Sequence, residues 1–170
     1  MKVAIVTGGT RGIGRAIVEL LVKNNIKVVV NYKDSDEIAN AMKKEFGDKI
    51  EILKADISIR NEVKKLVDFT INKFKNIDIL INNAGIAQEK MFIDITDEDW
   101  NNMLQCNLTS AFYTIQEVLP TMIHNKSGSI INISSIWAIT GAACEVHYSV
   151  AKAGVDGLTK GLAKEVGPSN

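Results

Sequence analysis

Cysteine is almost absent from this chain. Cys106 and Cys144 are its two thiols, and their spacing suits neither a metal-ligand pair nor a disulfide framework. Histidine is as scarce: His124 and His147 stand alone, so surface or packing roles are expected of both and metal ligation of neither. Neither charge sign is in excess, since twenty basic residues balance twenty acidic ones. That excludes the clustered basic surplus of a nucleic-acid binder, and the scattered lysines read as solvated helix faces. No apolar run approaches the length of a membrane span. Met1 leads straight into KVAIVT, with no basic and then apolar stretch of a secretory signal ahead of it. The expectation is a reduced, cytoplasmic protein with no membrane and no nucleic-acid partner. Internal repeats, low-complexity tracts and linkers are missing too, and 170 residues suit one domain.

What is present is a regular alternation. Short β-branched runs at 2–7 (KVAIVT), 26–32 (IKVVVNY), 50–55 (IEILKA), 77–82 (IDILIN) and 129–134 (SIINIS) are separated by longer helical patterns. Several runs are continuously apolar, as parallel strands covered on both faces must be. Ile13, Ile17, Leu20 and Leu21 suggest one helical stripe; Val63, Leu66, Val67 and Ile71 suggest another, in a segment starting near Ser58. Thr96 followed by Asp97, Glu98 and Asp99 has the form of a helix start. The order implies an α/β fold: a three-layer, doubly wound parallel sheet, the Rossmann arrangement.

Directly after the first run comes TGGTRGIG at 7–14, followed by a helical pattern. Glycine lets the backbone turn sharply and approach a ligand that a Cβ would hold off. A helix N-terminus offers free N–H groups and partial positive charge to a pyrophosphate. Gly8, Thr10, Arg11, Gly12, Ile13 and Gly14 are therefore candidate cofactor-binding residues for a dinucleotide. The spacing is neither the commoner G-x-G-x-x-G nor a P-loop. The second strand-like run ends Asn31-Tyr32-Lys33, without the acid that usually binds a ribose 2′-hydroxyl. Arg11 and Lys33 would attract a 2′-phosphate, so NADP(H) is favoured over NAD(H), with Asp34 nearby as the contrary sign.

Tyr148 and Lys152 lie one helical turn apart and share a face. An ammonium beside a phenol favours phenolate, and a tyrosine tuned in this way can protonate a carbonyl oxygen. Taken alone, such a pair is more often a solvated helix face. Ser135, thirteen residues before Tyr148, ends the fifth run at the edge where open parallel sheets bind ligands. Asn82-Asn83-Ala84-Gly85 ends the fourth run at that same edge.

With these residues the sequence resembles the short-chain dehydrogenase/reductase family. The features that match, in order and spacing, are TGGTRGIG, Asp56 after the third run, NNAG at 82–85, Asn107, Ser135 and YSVAK at 148–152. The resemblance implies that Tyr148 is the general acid, while Lys152 tunes it and holds the nicotinamide ribose. It makes Ser135 the donor to the substrate oxygen and Asn107 the support of a water-mediated proton relay. Asp56, with Ile57 beside it, would reach the adenine, while Asn83, Ala84 and Gly85 line the cofactor cleft. A homodimer or homotetramer is implied, through helices around 109–124 and 147–166. A nucleotide-binding module without catalysis would keep the glycine turn but lose the tyrosine or the lysine.

Within the family the chain looks most like the 3-oxoacyl-(acyl-carrier-protein) reductases of bacterial fatty-acid synthesis. It departs from them at Ala87-Gln88-Glu89, where Thr-Arg-Asp is common, and in keeping only Lys126 of the basic residues offered to an acidic carrier. The stretch from Ser134 to Tyr148 is similar also to reductases of a ketone-bearing lysine modification on elongation factor P. There Trp137 and Glu145 would border the substrate, Glu145 suiting an amine; the bland alternative is that Trp137 packs under the loop and Glu145 is solvent-exposed. Family members normally continue beyond Gly167-Pro168-Ser169-Asn170 with a strand, a covering helical loop and a last strand. Residues 1–170 are therefore expected to form a single cofactor-binding and catalytic domain lacking those parts, poorly soluble or weakly active alone.

Overall fold

The computed structural model describes residues 1–169. Its centre is a five-stranded sheet in the order β3-β2-β1-β4-β5, with every neighbouring pair parallel. The strands are β1 (Val3–Val6), β2 (Lys27–Tyr32), β3 (Ile50–Lys54), β4 (Ile79–Asn82) and β5 (Ser129–Asn132). All five expected strands are present, each trimmed by up to two residues at an end except where bounds coincide. The reason is visible at β4: the Asp78 carboxylate accepts from the Val3 N–H at 2.7 Å, so a side chain takes a ladder position.

Alternation of side chains across the sheet builds two cores. Ile5, Val29 and Leu80 point to one side, against Val63, Leu66 and Val67 of α3 (Arg60–Phe74) and Ile115 and Val118 of α5 (Ser110–His124). Ala4, Val6, Val28, Val30 and Ile81 point to the other, against Val18 and Val22 of α1 (Gly12–Lys23) and Met42 of α2 (Asp36–Phe46). The result is the expected three-layer Rossmann fold. β1 pairs with β2 on one side and β4 on the other, so the crossovers diverge there and leave a crevice at the strands' carboxyl ends.

The stripe expected in α1 is corrected. Gly14, Val18 and Val22 form the buried row, whereas Ile13 is 64% and Leu20 60% exposed. Gly14 allows the helix start to sit against the preceding turn, which rotates the i, i+4, i+8 row inward. In α3 the expected Val63, Leu66 and Val67 are buried, joined by Thr70, with Ile71 half-buried.

Thr96 caps α4 (Asp97–Leu104) in a reciprocal box: its hydroxyl accepts from the Asp99 N–H, and the Asp99 carboxylate accepts from the Thr96 N–H. Between α4 and α5 runs a π-helical turn, Gln105–Thr109, with Asn107 at its centre. A short α6 (Trp137–Thr140) precedes the long α7 (Val146–Val166). No helix among the described residues is long and apolar enough to cross a membrane, and no His/Cys/Asp/Glu group there could hold a metal.

Candidate active site

The crevice opens as a cleft of about 410 Å³. Gly8, Thr10, Arg11, Asn31, Lys33, Asp56, Ile57, Asn83, Ala84 and Gly85, all expected from sequence, line it. Asp34, noted beside Lys33 as the contrary sign, lines it as well, and so do Tyr32, Ser35, Ser58, Ile86 and Cys106, which were not foreseen. Their signal was position alone, at the ends of the same strands, except for Cys106, which comes from the π-helical turn Gln105–Thr109.

The turn before α1 fits an anionic dinucleotide. No side chain caps α1, so its first N–H groups are not satisfied by a cap. Gly8 and Gly12 hold φ of 61° and 54°, and a Cβ on Gly12 would meet nothing within 4 Å. Gly14 is a different case. A Cβ there would fall 2.3 Å from the Gly8 carbonyl oxygen and 2.6 Å from Asn83 Nδ2, so helix packing, not ligand approach, demands this glycine. Ile13 projects outward from the first helical turn.

Thr7 and Asn83 tie the two strand ends together. The buried Thr7 hydroxyl accepts from the N–H groups of Asn83 and Ala84, while Asn83 Nδ2 donates to the carbonyls of Thr7 and Gly8.

The charges at the far end are arranged less simply than the sequence suggests. Lys33 Nζ pairs with Asp56 at 2.8 Å, which holds its pKa above the ordinary lysine value. Burial works to raise the Asp56 pKa, yet Lys33 and the Ser58 hydroxyl outweigh it and keep the carboxyl below its ordinary value. Asn31 commits its amide to the Ala55 carbonyl at 2.9 Å. Arg11 is exposed and makes no ion pair among the described residues, and the Thr10 and Ser35 hydroxyls share a hydrogen bond of 2.7 Å beside it. An uncommitted guanidinium and a hydroxyl pair at one end suit a phosphate group.

At the near end, α7 carries Tyr148 and Lys152 on one face. Lys152 is only 5% exposed; its Nζ lies 5.7 Å from the Tyr148 ring centroid and donates to the Ile133 carbonyl at 2.8 Å. Burial pushes the Lys152 pKa down, with Asp156 opposing it. The Ser135 Oγ accepts from the Trp137 N–H at 3.2 Å, leaving its own O–H to donate elsewhere. Trp137 is 38% exposed, so it does not pack under the loop, and Glu145 is half-buried at the N-terminus of α7.

Asn107 is buried and fully engaged. Its Oδ1 accepts from the Ile86 N–H, and its Nδ2 donates to the carbonyls of Ile86 and Met103. A Cβ on Gly85 would stand 2.4 Å from Asn107 Oδ1, so this glycine makes room for the asparagine. Asn107 and Lys152 border one small internal cavity of about 10 Å³, close to the smallest that holds a water.

Comparison with known proteins matches this geometry to one family. The family model described as short chain dehydrogenase matches residues 2–170. A 3-oxoacyl-[acyl-carrier-protein] reductase of Synechocystis is 40% identical over 168 residues, covering 97% of this chain and 68% of the relative. The corresponding reductase of Aquifex aeolicus is 38% identical over 172 residues, covering 99% of this chain and 69% of the relative. A crystal structure of a short-chain dehydrogenase from Streptomyces avermitilis superimposes with a TM-score of 0.95 at 28% identity. It is covered over 62% of its length, by 99% of this chain. With the glycine turn, the buried lysine beside Tyr148 and these matches together, the chain belongs to the short-chain dehydrogenase family of oxidoreductases.

Proposed function

We propose that the chain holds NADPH in the cleft and reduces a ketone to a secondary alcohol, with a 3-oxoacyl thioester on acyl carrier protein as substrate. The observation that carries this reading is Lys152, a buried ammonium 5.7 Å from the Tyr148 ring, whose Nζ lies next to Gly85 of the cleft wall. An ammonium that has lost most of its water favours negative charge on its neighbour. Tyr148 gives its hydroxyl proton to the carbonyl oxygen as charge develops there, and Lys152 stabilises the phenolate left behind. The free Ser135 O–H donates to the same oxygen. The bound nicotinamide supplies the hydride to the carbonyl carbon. Asn107 anchors Ile86 at the cleft wall and, with Lys152, lines the cavity through which a water would return a proton to Tyr148. The curated relatives, 3-oxoacyl-[acyl-carrier-protein] reductases at 38–40% identity, support the substrate class. The exposed Phe112 on α5 suits the apolar contact of a homodimer or homotetramer.

One observation favours a second substrate. Glu145 is half-buried near Tyr148 and makes no ion pair among the described residues, which suits a ketone bearing an amine, such as the modified lysine of elongation factor P. Loss of NADPH absorbance with a short 3-oxoacyl thioester, NADH run in parallel, tests the first reading. Tyr148→Phe is expected to keep NADPH binding while turnover falls about 10²–10⁴-fold. Turnover that survives this substitution would sink the mechanism.

A further inference from the structure

The departure at Ala87-Gln88-Glu89 and the histidine before Tyr148 have no part in the chemistry above. The structure joins them. His147 is fully buried, and its Nε2 stands 2.9 Å from Gln88 Oε1. The direction of that bond follows from its neighbours. Gln88 Nε2 donates to Asp99 Oδ1 at 2.8 Å, and Asp99 Oδ2 is held by Lys90 Nζ at 2.5 Å. A carboxylate only accepts, so the Gln88 amide nitrogen must face Asp99 and its oxygen must face the histidine. His147 then donates through Nε2–H, leaving Nδ1 bare, in keeping with a buried Nδ1 that has no partner.

This chain of bonds joins the segment after β4 to the starts of α4 and α7. Gln88 and Lys90 belong to the segment after β4, whose Ile86 is clamped by Asn107. His147 belongs to the first turn of α7, immediately before Tyr148. That turn has no side-chain cap, and Cys144 just ahead of it holds a left-handed φ of 60°. A second bond runs parallel to the first, from the Lys90 N–H to the Cys144 carbonyl at 2.7 Å. Helix starts without caps fray readily. Here a buried imidazole supplies the anchor that the cap does not.

We propose that His147 and Gln88 are positioning residues that latch residues 86–91 onto the start of α7 and so fix the Tyr148 hydroxyl over the reacting carbonyl. The consequence for turnover rests on the reductase reading; the latch itself does not. A general acid displaced by a fraction of its hydrogen-bond length loses rate without losing substrate affinity.

The test uses the NADPH-loaded full chain with His147→Leu, Gln88→Ala, the double variant and His147→Gln. Gln88→Ala alters a half-buried loop position but leaves the buried His147 Nε2–H without its acceptor, so the urea midpoint of each variant is measured beside its rate. We expect kcat for the 3-oxoacyl thioester to fall roughly tenfold or more in each single variant, with KM and NADPH affinity changed less than about twofold. The double variant should cost no more than Gln88→Ala alone, which already removes the bond to His147 together with the one to Asp99. His147→Gln puts an amide N–H where Nε2–H stood and should recover most of the rate. Amide hydrogen exchange across 86–91 should quicken in both His147→Leu and Gln88→Ala. Additive losses, no rescue, or unchanged exchange over 86–91 would overturn the latch. If the unaltered chain binds NADPH but reduces none of the thioesters, the substrate reading has failed, and hydrogen exchange still decides the latch.

Discussion

Arg11 and Lys33 carry the same formal charge but not the same availability. Lys33 is paired with Asp56, whereas Arg11 is unpaired among the described residues of the cleft. Arg11→Ala is therefore expected to weaken NADPH binding by roughly tenfold, the loss of one charge-assisted hydrogen bond, and to leave NADH binding nearly unchanged. Titration of both cofactors by fluorescence at low salt checks this, and equal losses would move the specificity elsewhere. Lys152 poses the opposite problem, because its charge serves the proposed reduction and is costly to the fold. Burial lowers its pKa below 10.5 in the folded chain, so between that lowered value and 10.5 the unfolded chain binds more protons. Stability then rises with pH through that window, and the burden is complete below it. Lys152→Met should accordingly abolish turnover yet raise the melting midpoint near pH 7 by roughly 2–4 °C, about 1 kcal/mol in a domain this size. The gain should shrink as pH climbs toward 10.5. A midpoint lowered at pH 7 would mean that the bond to the Ile133 carbonyl outweighs the desolvated charge.

Elements were far more legible than the contacts between them. β1, β2 and β4 announce themselves because parallel strands buried on both faces are apolar through most of their length, the edge strands β3 and β5 by their isoleucine-rich runs, and the α4 cap because Thr96 and Asp99 satisfy each other locally. The α1 stripe was misread because Gly14 contributes nothing to a hydrophobic count while setting which row faces inward. The π-helical turn at Gln105–Thr109 leaves no sequence mark; it exists because Asn107 must reach the main chain of Ile86, twenty-one residues away. Likewise Gln88 and His147 are fifty-nine residues apart, and only the fold brings them together. Gly85 shows how tightly the α4–α5 junction is built onto the β4 loop. Gly85→Ala would drive a methyl group into Asn107 Oδ1 and is expected to cost about 1–3 kcal/mol, read as a lower urea midpoint at unchanged slope. A neutral outcome would mean that Asn107 can leave its bonds to Ile86 freely.

At the scale of the whole molecule, the two ends of the sheet are unequal. The cofactor crevice lies at β1, β2 and β4, packed by helices on both faces. β5 forms one edge, pairs with β4 alone among the described residues, and leaves Ile131 47% exposed. Beside it, Leu119, Met122, Ile130, Leu162 and Val166 line an apolar cleft of about 320 Å³. An open edge next to exposed apolar surface is a template for pairing with another chain. The 170-residue chain should therefore self-associate as its concentration rises, through β5 and not through the crevice. Ile131→Lys puts a charge on that edge and is expected to shift sedimentation velocity profiles toward smaller species. NADPH affinity should not change, because Arg11, Lys33 and the glycine turn lie on the far side of β4. Unaltered association with weakened NADPH binding would mean that the edge and the crevice are coupled. Association relieved at full affinity would make the cofactor half and the open edge separable parts of one sheet.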